Sequence, residues 1–174
     1  MNTANKLTLL RVVMIPVFLV LLYQDSTVLR WWALGVFVLA SLTDFVDGYI
    51  ARKYNQITDF GKFMDPLADK LLVLSAMVWF TEMGLLPGWG LLLVITREIS
   101  VTGLRLVAVE QGRVIAAGWS GKVKTASTMV GICLMLLGIS PLVDQICIAV
   151  ILITTVYSGV EYFVVNRDVF KSVK

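Results

Sequence analysis

Asp44-Phe45-Val46-Asp47-Gly48-Tyr49-Ile50-Ala51-Arg52 is followed, after eight residues, by Gly61-Lys62-Phe63-Met64-Asp65-Pro66-Leu67-Ala68-Asp69, so that four carboxylates fall within two consecutive apolar runs. Asp44 and Asp47 are three apart and share one face of a helix; Asp65 and Asp69, four apart, do the same. The short connection between the runs makes the two helices antiparallel neighbours, and turning these faces together gathers the four carboxylates into one pocket. Bare carboxylates in an apolar setting repel one another and are costly to desolvate. Divalent cations relieve both costs. An all-oxygen donor set suits Mg²⁺, with Mn²⁺ as a substitute, and Mg²⁺ keeps positions open for substrate phosphates. Two such ions would clamp a diphosphate and stabilise charge during phosphoryl transfer. Gly48 and Ala51 keep the helix surface low beside the aspartates, Gly61 opens similar room on the second helix, and Arg52 offers a fork of donors to a phosphate. Pro66 removes a backbone donor and marks a helix start or a kink.

The rest of the chain explains why these carboxylates sit at membrane depth. Of 174 residues, 58% are hydrophobic and 16% charged, and the mean hydropathy is +0.85. A water-soluble chain of this size could not bury so much apolar surface. Six apolar segments stand out: Leu7–Tyr23, Trp31–Ala51, Pro66–Phe80, Leu85–Val109, Val123–Gly138 and Val143–Val165. The shorter ones extend into their polar flanks to reach the ~20 residues that a span needs. Gly84, Pro87-Gly88, Gly112 to Gly121 and Gly138 to Pro141 punctuate the later segments. The expected fold is all-α: an integral membrane bundle of six transmembrane helices, forming a single domain over residues 1–174. Arg11 lies inside the first run and no small-residue cleavage site follows Tyr23, so that run reads as a retained span.

Lys6, Arg11, Arg52, Lys53, Lys62, Lys70, Arg97, Arg105, Arg113, Lys122, Lys124 and the tail cations Arg167, Lys171 and Lys174 fall on one side if the chain crosses six times; Arg30 falls on the other. The positive-inside rule then puts both termini, and the chemistry-bearing residues, on the cytoplasmic side of the cell membrane. Trp31, Trp32 and Trp89 take the opposite interface. The tail cations face anionic headgroups. The net charge of +3 gives no reason to expect nucleic acid. There is no histidine, which excludes imidazole chemistry, and Cys133 and Cys147 sit in apolar runs without metal-type spacing.

The pattern D-x2-D-G-x2-A-R-x8-G-x3-D-x3-D resembles the signature of the CDP-alcohol phosphatidyltransferase family, with every fixed position met by Asp44, Asp47, Gly48, Ala51, Arg52, Gly61, Asp65 and Asp69. The opening Asn5-x2-Thr8-x2-Arg11 is similar to the segment that leads into the first span of that family. Arg97-Glu98, Gly103-Leu104-Arg105, Gly121-Lys122-Val123-Lys124-Thr125 and Tyr157-Ser158-Gly159-Val160-Glu161-Tyr162-Phe163 resemble its bacterial phosphatidylglycerophosphate synthase branch. The resemblance implies transfer of a phosphatidyl group from CDP-diacylglycerol to glycerol 3-phosphate with release of CMP. It implies that Asp44, Asp47, Asp65 and Asp69 hold Mg²⁺ and that Asp69 also takes the proton of the attacking hydroxyl. Gly48, Arg52 and Thr58 would contact the CDP portion, with Asn5 and Thr8 at its edge. Members are often homodimers, and that too is carried over as an expectation.

An acceptor carrying a phosphate dianion needs a cationic pocket, and Arg97, Arg105, Lys122 and Lys124 are the candidates. Arg97 and Arg105 stand about 80° apart around a helix. The competing role for Arg97 is an internal pair with Glu98 or Glu161, and for Lys124 an anchor at the headgroups. Glu98 and Glu161 read as ties between helices, and Gly131 and Gly138 as sites of close helix packing. Alternative functions are a cardiolipin synthase of the same family, with phosphatidylglycerol as acceptor, and a divalent-cation carrier. The carrier leaves Gly48, Arg52 and the cationic cluster without a purpose. Prenyltransferases of membranes space their aspartate motifs much farther apart.

Overall fold

Helices form wherever the apolar runs predict them, and they reach past the runs into polar flanks. The computed structural model describes residues 3–24, 26–53, 59–116 and 118–170; side chains at 3–6, 44–53, 59–60, 62–63 and 170 lie outside the description. Six α-helices follow one another: α1 Thr3–Leu22, α2 Thr27–Lys53, α3 Asp59–Glu82, α4 Gly88–Glu110, α5 Trp119–Leu137 and α6 Pro141–Val165, with a final 3-10 turn at Arg167–Phe170. Among the described residues there is no strand, so the fold is all-α. Pro66 is neither a start nor an end: α3 begins seven residues earlier and runs through it. By length and composition α6 can cross a bilayer by itself, while Leu7–Leu22 and Thr27–Thr43 are shorter apolar stretches.

The chain packs as two units, Met1–Phe80 with Leu136–Gly138, and Thr81–Met135 with Ile139–Lys174. In the first, α1 buries Thr8, Arg11, Ile15, Phe18 and Leu22, an alternating three–four spacing that draws one stripe along a helix. The stripe meets Ala33, Phe37 and Ala40 of α2. Phe18 and Phe37 lie 5.7 Å apart between ring centroids, and Arg11 Nε donates to the Ala40 carbonyl at 3.3 Å. Contacts that climb α1 as they descend α2 make the pair antiparallel. On α3 the buried residues Gly61, Ala68, Leu72 and Ala76 continue the same spacing, and the half-buried Asp65 lies in that row.

In the second unit α4 and α6 run parallel. A Cβ at Gly90 would touch Leu152, and one at Gly159 would stand 3.2 Å from Arg97 Cγ. Farther along, Arg105 reaches Tyr162. α5 runs antiparallel to α6, with Ser127 and Thr154 hydroxyls 3.1 Å apart and Gly131 so close that an added Cβ would lie 2.9 Å from Ile151 Cδ1. Gly131 therefore does serve close packing. Gly138 does so differently: it follows the end of α5 at φ +62°, and the Arg30 guanidinium occupies the space of a Cβ. Ser140 caps α6 by accepting from Val143 N, with Pro141 at the first helical position.

One pattern repeats throughout. The buried stripes carry the polar residues (Thr8, Arg11, Lys124, Thr128, Asp144, Thr155, Ser158), while the outward faces carry Val13, Val20, Leu39, Leu92, Val130, Ile153 and Val160, each 55–67% exposed. A water-soluble bundle has the reverse arrangement.

α4 ends in a Schellman motif: Gly112 sits at φ +72°, its N–H donates to Val109 O at 2.9 Å, and Arg113 N–H donates to Ala108 O at 2.8 Å. Gly112→Ala should destabilise the protein by about 1 kcal/mol, because a Cβ is disfavoured at that φ. Gly103→Ala, inside α4 with nothing within 4 Å of the new Cβ, should be neutral or stabilising. Thermal unfolding of both variants in detergent micelles checks the contrast.

Candidate active site

The signature divides between α2 and α3. Asp44, Asp47, Gly48 and Arg52 belong to α2 by backbone, and their side chains lie outside the described residues, as does that of Asn5 in α1; Thr58 lies outside them altogether. Asp65 and Asp69 are described, one turn apart near the start of α3 and both half-buried. Thr8 of α1 is 1% exposed, and its hydroxyl donates to Asp65 Oδ1 at 2.6 Å. That short bond fixes the Asp65 side chain against α1. The sequence reading sets Thr8 at the edge of a CDP site and misses this second task. The donors that Asp65 and Asp69 offer are all oxygen and lie on one helix face, which fits a hard divalent ion.

The cations divide as well. Arg97 Nη1 and Lys124 Nζ both donate to one oxygen, Oε1 of Glu98, at 2.9 and 2.7 Å. The three side chains are 13%, 7% and 16% exposed for Arg97, Lys124 and Glu98. Arg97 thus pairs with Glu98, one of its two sequence-level options, and Lys124 is too buried to anchor at headgroups. Glycines make room for the arginine: Cβ atoms at Gly159 and Gly121 would lie 3.2 Å from Arg97 Cγ and 3.7 Å from Arg97 Nη2. Arg105 is exposed, donates from Nε to the Tyr162 hydroxyl at 2.9 Å and holds its guanidinium carbon 5.5 Å from that ring's centroid. Lys122 is exposed on the first turns of α5.

Beside Tyr162 the second unit forms an open pocket of about 340 Å³, lined by Arg113, Ser120, Glu161, Tyr162 and Asn166 together with apolar residues of the 113–118 loop. The 3-10 turn is strapped to this region. Arg113 Nη2 meets Asp168 Oδ2 at 2.7 Å, Gln111 donates to the Val169 carbonyl at 3.1 Å, and Val169 is buried with Val101, Leu104, Ala108 and Tyr162. The hydrogen bond from Arg113 holds the Asp168 carboxyl below its usual range. The strap therefore persists above the carboxylate range and is lost as the pH falls through that lowered value.

The sequence profile of the CDP-alcohol phosphatidyltransferases matches residues 1–159. The chain belongs to this family. Among curated proteins it is 40% identical to the CDP-diacylglycerol–glycerol-3-phosphate 3-phosphatidyltransferase of Bacillus subtilis (strain 168), over 98% of each chain. It is 44% identical to a probable phosphatidylglycerophosphate synthase of Mycobacterium tuberculosis, over 92% of this chain and 79% of that one. A Rickettsia typhi protein with the same name as the Bacillus one is 35% identical over 97% and 99%. In this phosphatidyltransferase, sequence reasoning missed Thr8 as the partner of Asp65, Tyr162 as the partner of Arg105, and Gly159 as the seat of Arg97. Only the last had a local signal, a small residue in an otherwise bulky run.

Glu98 should prove structurally coupled to its cations. Glu98→Leu leaves two buried positive charges facing each other and should cost about 3 kcal/mol or more. Adding Lys124→Leu should recover part of that loss, with a coupling of at least about 1 kcal/mol in a double-mutant cycle followed by thermal unfolding. Additive effects would contradict the shared carboxylate.

Proposed function

We propose that this chain transfers the phosphatidyl group of CDP-diacylglycerol to glycerol 3-phosphate, giving phosphatidylglycerophosphate and CMP. Likeness over nearly the full length to relatives named for this reaction carries the reading. The chain acts as one domain that crosses the cell membrane six times, with both termini and the active site at the cytoplasmic face. The apolar outward faces and the polar buried stripes support it. It works as a homodimer.

Asp44, Asp47, Asp65 and Asp69 hold two Mg²⁺ ions, with Mn²⁺ accepted in their place. Bound there, Mg²⁺ neutralises charge on the diphosphate and stabilises the charge that develops in transfer. Gly48, Arg52 and Thr58 bind the CDP portion, with Asn5 and Thr8 beside it, and Thr8 also keeps Asp65 oriented. Asp69 accepts the proton of the sn-1 hydroxyl as that oxygen attacks the phosphorus bearing diacylglycerol. The bond from phosphorus to the CMP oxygen breaks, and CMP leaves with the electron pair. Arg97, Arg105, Lys122 and Lys124 form the cationic field for the acceptor phosphate. Glu98 cancels one charge of the Arg97–Lys124 pair, so direct phosphate contact falls mainly to the exposed Arg105 and Lys122.

CMP release from CDP-diacylglycerol by the purified protein tests this. Release with glycerol 3-phosphate, lost on chelation with EDTA, is the expected result; release with phosphatidylglycerol alone would overturn the acceptor. Asp69→Asn should lower kcat by about 10²-fold or more, as loss of a proton acceptor does. Thr8→Val should lower kcat about tenfold, with Thr8→Ser near wild type, since one hydrogen bond to a charged group is at stake. Arg105→Ala should raise KM for glycerol 3-phosphate about tenfold or more and shift that for CDP-diacylglycerol far less.

A further inference from the structure

The connection from α4 to α5 is built unlike one that faces water. Between Arg113 and Ser120 it reads Val114-Ile115-Ala116-Ala117-Gly118-Trp119, without one charged or hydroxyl-bearing side chain. Connections in water are rich in Ser, Thr, Asn, Asp and Pro beside Gly. Here Val114 is 89% exposed and Trp119 78%, the two highest values among the large hydrophobic residues described. Two such side chains held out from the protein on one short connection mark a surface that something apolar covers.

Helix length sets the depth of that surface. α5 has 19 residues, so it is about 28 Å long, and the hydrocarbon core of a bilayer is about 30 Å thick. A crossing α5 has no length to spare, and its first residue, Trp119, then stands at the boundary between hydrocarbon and headgroups. Irregular backbone does not enter the hydrocarbon, where its N–H and carbonyl groups would go unpaired. The backbone of 113–118 therefore stays among the headgroups, within reach of the hydrocarbon for Val114 and Trp119. Tryptophan suits this depth, with an apolar ring and a polar N–H.

The neighbouring surface continues the same character. Leu106 and Val109 near the end of α4, Val123 near the start of α5 and Val165 at the end of α6 are all exposed. Val165 lines the same pocket as Val114 and Ile115. Charge agrees with a phospholipid as the cover. Arg113 opens the connection with its side chain 52% exposed, and Arg167, next to Asp168 to which Arg113 is paired, is exposed as well.

We propose that residues 113–119 form a membrane anchor, with Val114 and Trp119 inserted at the headgroup boundary of the phospholipid bilayer and Arg113 and Arg167 facing lipid phosphates. This rests on the reading that the chain crosses the membrane. It goes beyond that reading by assigning a connection, rather than a helix face, to the lipid.

Tryptophan quenching in bilayers tests the proposal. The full chain is reconstituted into phosphatidylcholine vesicles, either unmodified or carrying bromine on the acyl chains near the headgroup. The Trp119 contribution is the difference between wild type and Trp119→Phe. Brominated lipid should remove most of that contribution, and acrylamide in the water should remove little of it. Val114→Trp should add emission that responds in the same way, and it carries the test if Trp119→Phe fails to fold. Quenching by acrylamide, with brominated lipid leaving the emission intact, would put the connection in water and overturn the proposal. Protection from both quenchers would mean that protein covers it, a second copy included, and would overturn it equally. Trp89, 64% exposed at the start of α4, is read in parallel through Trp89→Phe. If lipid quenches Trp89 but not Trp119, the anchor alone is refuted; if it quenches neither, the membrane-crossing reading falls with it.

Discussion

The buried charged and polar side chains of the described residues lie on the inward stripes of the helices, where each must find a partner without the help of water. The constraint follows from the apolar outer faces. A helix with Val13, Val17 and Val20 on its outside can carry Arg11 only where a neighbour supplies an acceptor, and the Ala40 carbonyl of α2 does so. Lys124 is 5% exposed and survives there because Glu98 lies 2.7 Å away. The seams are therefore tied by directional bonds as well as by packing. The aromatic contact of Phe18 with Phe37 and the close approach of α6 to Gly131 supply the packing part.

The same constraint shapes the carboxylates. Asp65 sits in the buried row of α3, and a hydroxyl from α1 reaches it across 57 residues of sequence. Such a donor fixes one carboxyl oxygen and ties the first helix to the third at that point. Thr8 costs little in return. A threonine in a helix within an apolar environment can bond back to its own backbone, and here its hydroxyl also donates to the Asp65 carboxyl of a neighbouring helix.

The six helices were legible from hydropathy and turn residues, with most ends shifted by up to four positions and the start of α3 by seven. Gly112 and Gly138 announce two helix ends that the positive φ values bear out. The motif spacing put Asp44 and Asp47 on one helix and Asp65 and Asp69 on the next, and the backbone agrees. The inward face of α1 was not legible, since lipid-facing and core-facing residues are equally apolar and the polar Thr8 and Arg11 turn out to mark the inside. The partners of Thr8, Arg105 and Lys124 were not legible either. Each lies 26 to 57 residues away, and no local pattern encodes a tertiary pairing.

Burying an anion between two cations makes physical sense once desolvation is counted. Two unpaired cations at the depth of Arg97 and Lys124 would be expensive to hold apart from water, and Glu98 removes that cost while leaving one net positive charge. The outer cations, Arg105 and Lys122, need no such partner because they are exposed. The pairing of buried charge is incomplete even so: Arg97 Nε, Asp144 Oδ1 and Glu161 Oε2 are buried without a hydrogen-bond partner among the described residues, and each holds its place at the cost of an unmade bond.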